Sequence, residues 1–168
     1  MTPIMKMLIT STEESSMAKI NNDEALKRAL DALPVASQRI LAARFVGNLL
    51  HLSKDGRVKR AVEAAATPEC SPEEMEEAYR AVKAYSVQTF TACGRDADWA
   101  SQAEHFVAAA ALAALLPEKQ LGDKHSLAWK AAMQARMAKN CEMILNDQGE
   151  LDNEAQRQYV LTEAFLAE

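Results

Sequence analysis

Residues 98–117 read DWASQAEHFVAAAALAALLP, and this stretch decides the fold. It opens with Asp98, a residue suited to the N-cap of a helix, and Pro117 ends it. Every residue from Phe106 to Leu116 is apolar. A helix that is apolar on all sides has to be enclosed by other helices. We therefore predict a buried central helix, whose small alanines let neighbouring backbones approach closely.

The rest of the chain also favours helices. Only five Gly and five Pro interrupt 168 residues, and strand-like runs of Val, Ile and Thr are missing. The clearest boundary is Ser71-Pro72 followed by Glu74, which reads as an N-cap, a first-turn proline and a capping box. The sequence predicts an all-α fold, a single-domain bundle of six to seven helices around the central one.

Three positions in these helices carry local predictions. Phe90 shares a helical stripe with the inner face of the fourth helix, so we expect it to point inward. Gly94 is placed to end that helix in a left-handed cap. His51 stands at the end of the second helix, where we expect it to interact with the helix dipole.

The first residues differ in character from the rest. Residues 1–18 show no helical periodicity, and near their end residues 11–16 form a polar tract, STEESS. We therefore predict that residues 1–18 are a flexible N-terminal tail. Met17 resembles a natural start, and we interpret the residues before it as an extension. Residues 19–168 are predicted to form one α-helical domain.

Charge and cysteine usage narrow the class of protein. The net charge of −5 argues against nucleic-acid binding. The central apolar run is too short for a bilayer, which requires about 20 residues, and no signal peptide is visible. Cys70, Cys93 and Cys141 match no zinc motif and no small disulfide framework. We expect a soluble cytoplasmic protein with free thiols and no membrane association.

Chemistry-bearing motifs are sparse. The chain has no His-Glu-x-x-His, no Gly-rich phosphate loop and no Gly-x-Ser-x-Gly, so we expect no enzyme activity, no metal and no cofactor. One polar group stands out at the start of the central helix, and it could line a pocket for acid–base or metal chemistry. Its residues are Arg95, Asp98, Gln102, Glu104 and His105. The alternative interpretation is a set of satisfied polar groups that cap the helix.

An acidic cluster precedes and begins the fourth helix. It consists of Glu69, Glu73, Glu74, Glu76 and Glu77, with no basic residue among them. Negative charge at a helix N-terminus is favourable by itself, which is the structural interpretation. The functional hypothesis is a docking surface for a basic partner.

Residues 44–113 also carry a family resemblance. The relevant segments are FVGNLLHL (45–52), Asp55-Gly56-Arg57, AVEAA (61–65) and two alanine-containing helices starting near Glu73 and Asp98. With these the chain resembles the alanine-rich, all-helical immunity proteins of bacterial polymorphic toxin systems. It departs from these proteins at Val58, where they tend to carry Pro. They also tend to have histidines in their later helices, and only His105 corresponds to these here. The resemblance implies a non-enzymatic cytoplasmic protein that binds and neutralises a toxin.

These observations lead to three functional hypotheses. The first is a protein-binding protein, an immunity protein whose acidic cluster docks a basic toxin domain. The second is a helical protein that binds a small molecule or a metal through the polar group around His105. This hypothesis includes an enzyme. The third is a homo-oligomer built through the last helix, whose apolar pattern is the weakest of the seven.

Overall fold

A computed structural model describes residues 19–96, 98–122, 126–147 and 153–168, with the backbone alone for residues 93–96. These residues form seven α-helices and no strand, so the predicted all-α fold is confirmed. The helices are α1 (Asp23–Asp31), α2 (Val35–Gly47), α3 (Gly56–Ala66), α4 (Pro72–Asp96), α5 (Trp99–Ala114), α6 (Leu127–Leu145) and α7 (Glu154–Leu166). Two short 3-10 turns lie at Leu50–Leu52 and Glu118–Gln120. The predicted tail, residues 1–18, lies outside the described residues.

Side-chain caps fix where most of the helices begin. A capping oxygen at the N-cap accepts a hydrogen bond from a backbone N–H two or three residues later, and such a cap stabilises by about 1 kcal/mol. The caps of this kind are Asn22, Asp55, Asp98, Ser126 and Asn153. The predicted capping box of α4 is also present, because Ser71 and Glu74 each accept from the backbone N–H of the other. Gly94, in contrast, lies inside α4, so the prediction that it ends the helix is wrong.

The central helix of the sequence is α5, and it contacts α2, α3, α4 and α6. Most of its residues from Ala103 to Leu115 are buried, which confirms the predicted buried central helix. The enclosure is not complete, however. Phe106, Leu112 and Leu116 are only half-buried and line one side of α5. The apolar run therefore exceeds what the other described helices cover.

The most extensive helix–helix contact joins α5 to α6. Both helices supply alanines to the core: Ala108, Ala110, Ala111 and Ala114 from α5, and Ala128, Ala131, Ala132, Ala135 and Ala138 from α6, all of them 0% exposed. Small side chains at a helix contact allow the two backbones to lie close together. Larger residues such as Phe45 and Leu41 of α2, also fully buried, complete the core around this pair.

A buried arginine secures the C-terminal end of α5. Arg39 of α2 donates from Nη1 to the carbonyl of Ala114 (3.0 Å) and from Nη2 to the carbonyl of Leu116 (2.8 Å). The last carbonyls of a helix have no partner within the helix, so an outside donor has to satisfy them when the end is buried. Arg39 thereby ties α2 to the end of α5.

The last helix packs across α1, α2 and α6. Its buried face is partly polar, and Gln158 is fully buried while donating to the carbonyl of Ala132 at 2.9 Å. Arg136 of α6 donates to Gln158 and to Asp23 of α1, and Tyr159 also donates to Asp23. None of the described helices is long and apolar enough to cross a membrane.

The alanine contact predicts a sharp difference between two positions of α5. Ala111→Leu adds three carbons where α5 has no free space, so we expect a loss of about 1–3 kcal/mol of unfolding free energy. Ala109→Leu is the matched control, because Ala109 lies on the half-buried side of the same helix and should lose less than about 0.5 kcal/mol. Urea unfolding of both variants measures the difference. Equal losses would show that α5 is not tightly packed at residue 111.

Candidate functional site

The polar group predicted at the start of the central helix lies between α4 and the first turns of α5. Two side-chain contacts join the helices there. The Tyr85 hydroxyl of α4 donates to the Glu104 carboxylate of α5 in a short hydrogen bond. One turn further along α4, the Thr89 hydroxyl lies 3.0 Å from Nδ1 of His105. Glu104 and His105 thus each contact a residue of α4, Tyr85 and Thr89 respectively.

The α3 helix supports this contact from the other side of Tyr85. The Arg57 guanidinium lies 4.8 Å from the centroid of the Tyr85 ring and forms a two-point ion pair with Asp55, at 2.9 Å. Burial raises the pKa of Tyr85, and the hydrogen bond to Glu104 raises it further. Tyr85 therefore stays protonated at neutral pH and remains a donor to Glu104.

His105 is held as a neutral ring. Burial lowers its pKa below the ordinary value of 6.5. The Thr89 hydroxyl has one hydrogen and donates it to the carbonyl of Ser86 at 2.9 Å, so the proton in the contact between Thr89 and His105 belongs to Nδ1 of His105. A neutral ring protonated at Nδ1 lets the Thr89 hydroxyl donate to Ser86 and accept from His105. It leaves Nε2 of His105 as an acceptor.

The remaining members of the predicted polar group are more dispersed. Asp98 accepts from the backbone N–H and the hydroxyl of Ser101, at 2.7 and 2.9 Å, so its carboxylate serves the helix cap. Those hydrogen bonds also lower the pKa of Asp98. Gln102 is half-buried on the same helix, and the side chain of Arg95 lies outside the described residues.

Two phenylalanine rings lie beside His105, and one of them is well exposed. The rings of Phe90 and Phe106 each lie 5.6 Å from the His105 ring, measured between centroids. Phe90 is 69% exposed and Trp99, at the first position of α5, is 44% exposed. We call Phe90, Trp99, His105 and Phe106 the aromatic corner; Trp99 belongs to it by its place on α5, about two turns before Phe106 on the same side of the helix. The prediction that Phe90 points inward is wrong, because the smaller Ser86 and Thr89 occupy the buried face of α4 at this level.

The acidic cluster lies at the other end of α4, and all five of its glutamates are exposed. Three of them already have intramolecular partners. Glu74 belongs to the capping box, Glu76 pairs with Arg80 at 2.6 Å, and Glu77 pairs with Arg60 at 3.1 Å. Glu69 and Glu73 have no ion-pair partner in the described part of the chain. The surface is therefore acidic but partly neutralised by its own cations.

A second group of ionisable side chains, which the sequence did not suggest, lies between α6, α7 and the first 3-10 turn. Nε2 of His51 contacts the Glu142 carboxylate in a short hydrogen bond, and Lys139 Nζ lies 2.8 Å from the other oxygen of Glu142. Glu154 begins α7 nearby, is also buried, and pairs with Arg157 at 2.9 Å. His51 thus serves a tertiary contact, not the helix-dipole interaction that we predicted.

Burial and ion pairing act in opposite directions on the two acids of this group. Burial raises the pKa of Glu142, but the hydrogen bonds and charges of Lys139 and His51 outweigh it, and the pKa lies below its ordinary value. Burial raises the pKa of Glu154, and Arg157 only partly offsets that effect. Glu142 is therefore the acid whose charge the fold stabilises.

The thiol of Cys70 is not activated. Burial raises the pKa of Cys70, and the charge of Glu74 raises it further, which disfavours the nucleophilic thiolate. Cys141 is buried in α6, and Cys93 lies outside the described side chains. Among the residues that the structure describes, no group of three or more His, Cys, Asp or Glu could hold a metal ion.

Comparisons with protein-family models, with curated proteins and with solved structures found no match to this chain. The resemblance of residues 44–113 to immunity proteins therefore stays a prediction.

The environment of His105 predicts its titration. We expect a midpoint below 6.5 and a neutral ring protonated at Nδ1, both observable by ¹⁵N NMR of the imidazole. Thr89→Val removes the acceptor of the Nδ1 proton, so the preference of the neutral ring for Nδ1 over Nε2 should weaken. Thr91→Val is the matched control, since its hydroxyl donates to the carbonyl of Val87 on the exposed side of α4. A midpoint above 6.5, or a neutral ring protonated at Nε2, would contradict the assignment.

We expect the two buried acids, Glu142 and Glu154, to respond differently to the same substitution by Gln. Glu142→Gln removes the charged carboxylate that both Lys139 and His51 contact, so we expect a loss of about 2–4 kcal/mol at pH 7. Glu154→Gln removes a charge that burial disfavours and should lose less than about 1 kcal/mol. Urea unfolding at pH 7 distinguishes the two variants, and equal losses would argue against the role given to Glu142.

The pH dependence has a definite sign. Because the folded-state pKa of Glu142 lies below the unfolded value of 4.5, its full stabilisation is present above pH 4.5 and is lost as the pH falls through the folded-state pKa. The difference in unfolding free energy between the wild type and Glu142→Gln should therefore shrink in acid.

Proposed function

We propose that this protein is a non-enzymatic binding protein whose ligand is another protein. The observation that carries the proposal is the aromatic corner. Phe90 and Trp99 keep large apolar surfaces in contact with water, and Val87, one turn from Phe90, is 61% exposed. Exposed aromatic residues that gather at one place on a surface are typical of protein interfaces and of their energetic hot spots.

The corner is also suited to binding because it is held rigidly. The contact between Tyr85 and Glu104 and the contact between Thr89 and His105 join α4 to α5 directly beneath the exposed rings. Aromatic residues that are already fixed lose little conformational entropy when a partner covers them. The polar group predicted around His105 thus supports an apolar surface.

We propose further that the partner is a basic toxin domain, which the protein neutralises as immunity proteins do. The resemblance of residues 44–113 supports this class of partner. The acidic cluster supports its charge, because Glu69 and Glu73 keep unpaired carboxylates at the start of α4. About 13 residues separate Glu77 from Phe90 on α4, which corresponds to roughly 20 Å along the helix. One partner of ordinary size can cover both surfaces.

The alternative of a small-molecule or metal site around His105 has weaker support. The carboxylate of Asp98 is used by the helix cap, and that of Glu104 accepts from Tyr85. Among the described side chains of this polar group, Nε2 of His105 and the amide of Gln102 are then left to act on a ligand. The third hypothesis, a homo-oligomer built through α7, has one favourable observation, the exposure of Val160 and Leu166 on that helix.

Binding measurements with the basic toxin domains encoded by neighbouring genes test the proposal. We expect one of them to bind, and we expect Phe90→Ser to weaken that binding at least about tenfold, as loss of a hot-spot residue does. Val160→Ser is the matched control, because it removes an exposed apolar side chain from α7 and should leave the affinity unchanged. Calorimetry gives the dissociation constants.

Charge reversal of Glu73, Glu74, Glu76 and Glu77 tests the acidic cluster separately. If the cluster docks the partner, the dissociation constant should rise and its salt dependence should weaken. An unchanged constant would remove the cluster from the interface. If no neighbouring basic domain binds, the toxin-neutralising function is wrong.

A further inference from the structure

A cleft of about 670 Å³ lies between the first turns of α4, the end of α5 and the 3-10 turn Glu118–Gln120. Its volume falls within the range of 300–1,000 Å³ that is typical of small-molecule sites. None of the four residues of the aromatic corner lines it. The cleft is therefore a separate feature of the molecule and does not depend on the proposed function.

The innermost charged group of this cleft is Arg39, which is only 8% exposed. A guanidinium carries five N–H donors, and Arg39 gives two of them to the carbonyls of Ala114 and Leu116. No polar side-chain atom of the described residues is both buried and unpaired. Arg39 Nε has no acceptor among these residues, so it keeps some contact with solvent, and Arg39 lines the cleft.

Three further cations surround the opening, and all are exposed. They are Arg80 and Lys83 on α4 and Lys119 on the 3-10 turn. The cleft also has two carboxylates, Glu76 and Glu118, of which Glu76 already pairs with Arg80.

Four cations against two acids leave a surplus of two positive charges at the cleft, in a chain whose net charge is −5. Neither Lys83 nor Lys119 has an ion-pair partner in the part of the chain that the structure describes. Charges of one sign that converge in a concave site attract a ligand of the opposite sign.

The walls of the cleft are apolar. Met75 and the ring of Tyr79 come from α4, and Leu115 and Pro117 come from the end of α5. Lys83 Nζ lies 5.7 Å from the centroid of the Tyr79 ring, so the charged and apolar parts of the site are adjacent. A ligand that fits both parts has an anionic head and an apolar body.

We propose that this cleft binds a small organic anion, a carboxylate or a phosphate monoester that carries an aromatic or aliphatic group. Its anionic head is bound by Arg39, Lys83 and Lys119, and its apolar body lies against Met75 and Leu115. The tightest contact is to Arg39, whose planar N–H groups match the two oxygens of a carboxylate or phosphate.

Titration with the fluorescent probe 8-anilinonaphthalene-1-sulfonate, an apolar anion, tests this site. We expect the full chain to bind the probe and the double variant Lys83→Gln/Lys119→Gln to bind it roughly tenfold more weakly. Both lysines are exposed, so the variant should fold normally, which its urea unfolding curve checks. The matched control is Lys19→Gln/Lys27→Gln, which removes the same charge from outside the cleft and should keep the wild-type affinity.

Displacement of the probe identifies the head group. Phenyl phosphate or phenylacetate, whichever the cleft prefers, should displace it, and the neutral 2-phenylethanol should not. Equal probe affinity in all three proteins would overturn the proposal, as would equal weakening in both variants. Equal displacement by the neutral compound, or no displacement by either anion, would also overturn it.

Discussion

The close contact between α5 and α6 is the constraint on which the rest of the structure depends. Two neighbouring helices that present alanines to each other leave little room between their backbones, and most of the large side chains that fill the remaining core come from outside the pair. Phe45 and Leu41 of α2, Val58 of α3 and Val82 of α4 do this, and all four are fully buried. The order of the other helices around α5 follows from which of them supplies those residues.

A core of this kind also determines where polar groups are buried. Because α5 ends inside the bundle, its last carbonyls need an outside donor, and Arg39 provides one at the cost of placing a guanidinium in the interior. At the periphery, long polar side chains bridge gaps that alanines leave open. Gln158 reaches the backbone of α6, and the ionic group of Lys139 and Glu142 joins α6 to His51. Each of these polar groups is paired, which is the condition for burying it without a large penalty.

Local features of the sequence were sufficient for the helices and their starts. Asp98, Asp55 and the pair Ser71–Glu74 cap helices through contacts within three residues, and the apolar run of α5 required a buried helix. The predictions that failed concern side chains whose partners lie far away in the sequence. His51 and Glu142 are 91 positions apart, and Arg39 and Ala114 are 75 apart, so no local pattern connects them. Phe90 shares a helical stripe with the buried face of α4, yet it is exposed because Thr89, the smaller neighbour, has a partner in His105.

The same comparison underlies our proposal of binding rather than catalysis at the candidate site. At the start of α5 every acidic group has a structural partner, and the neutral His105 ring uses one nitrogen for Thr89. The carboxylates of Asp98 and Glu104 already accept hydrogen bonds, which restricts them to structural contacts unless those bonds break, whereas Nε2 of His105 stays open as an acceptor. The exposed rings of Phe90 and Trp99 carry no such restriction, because the rest of the described fold does not cover them. We therefore propose that a partner protein covers this corner, because a protein covers an exposed apolar surface more completely than a small ligand does.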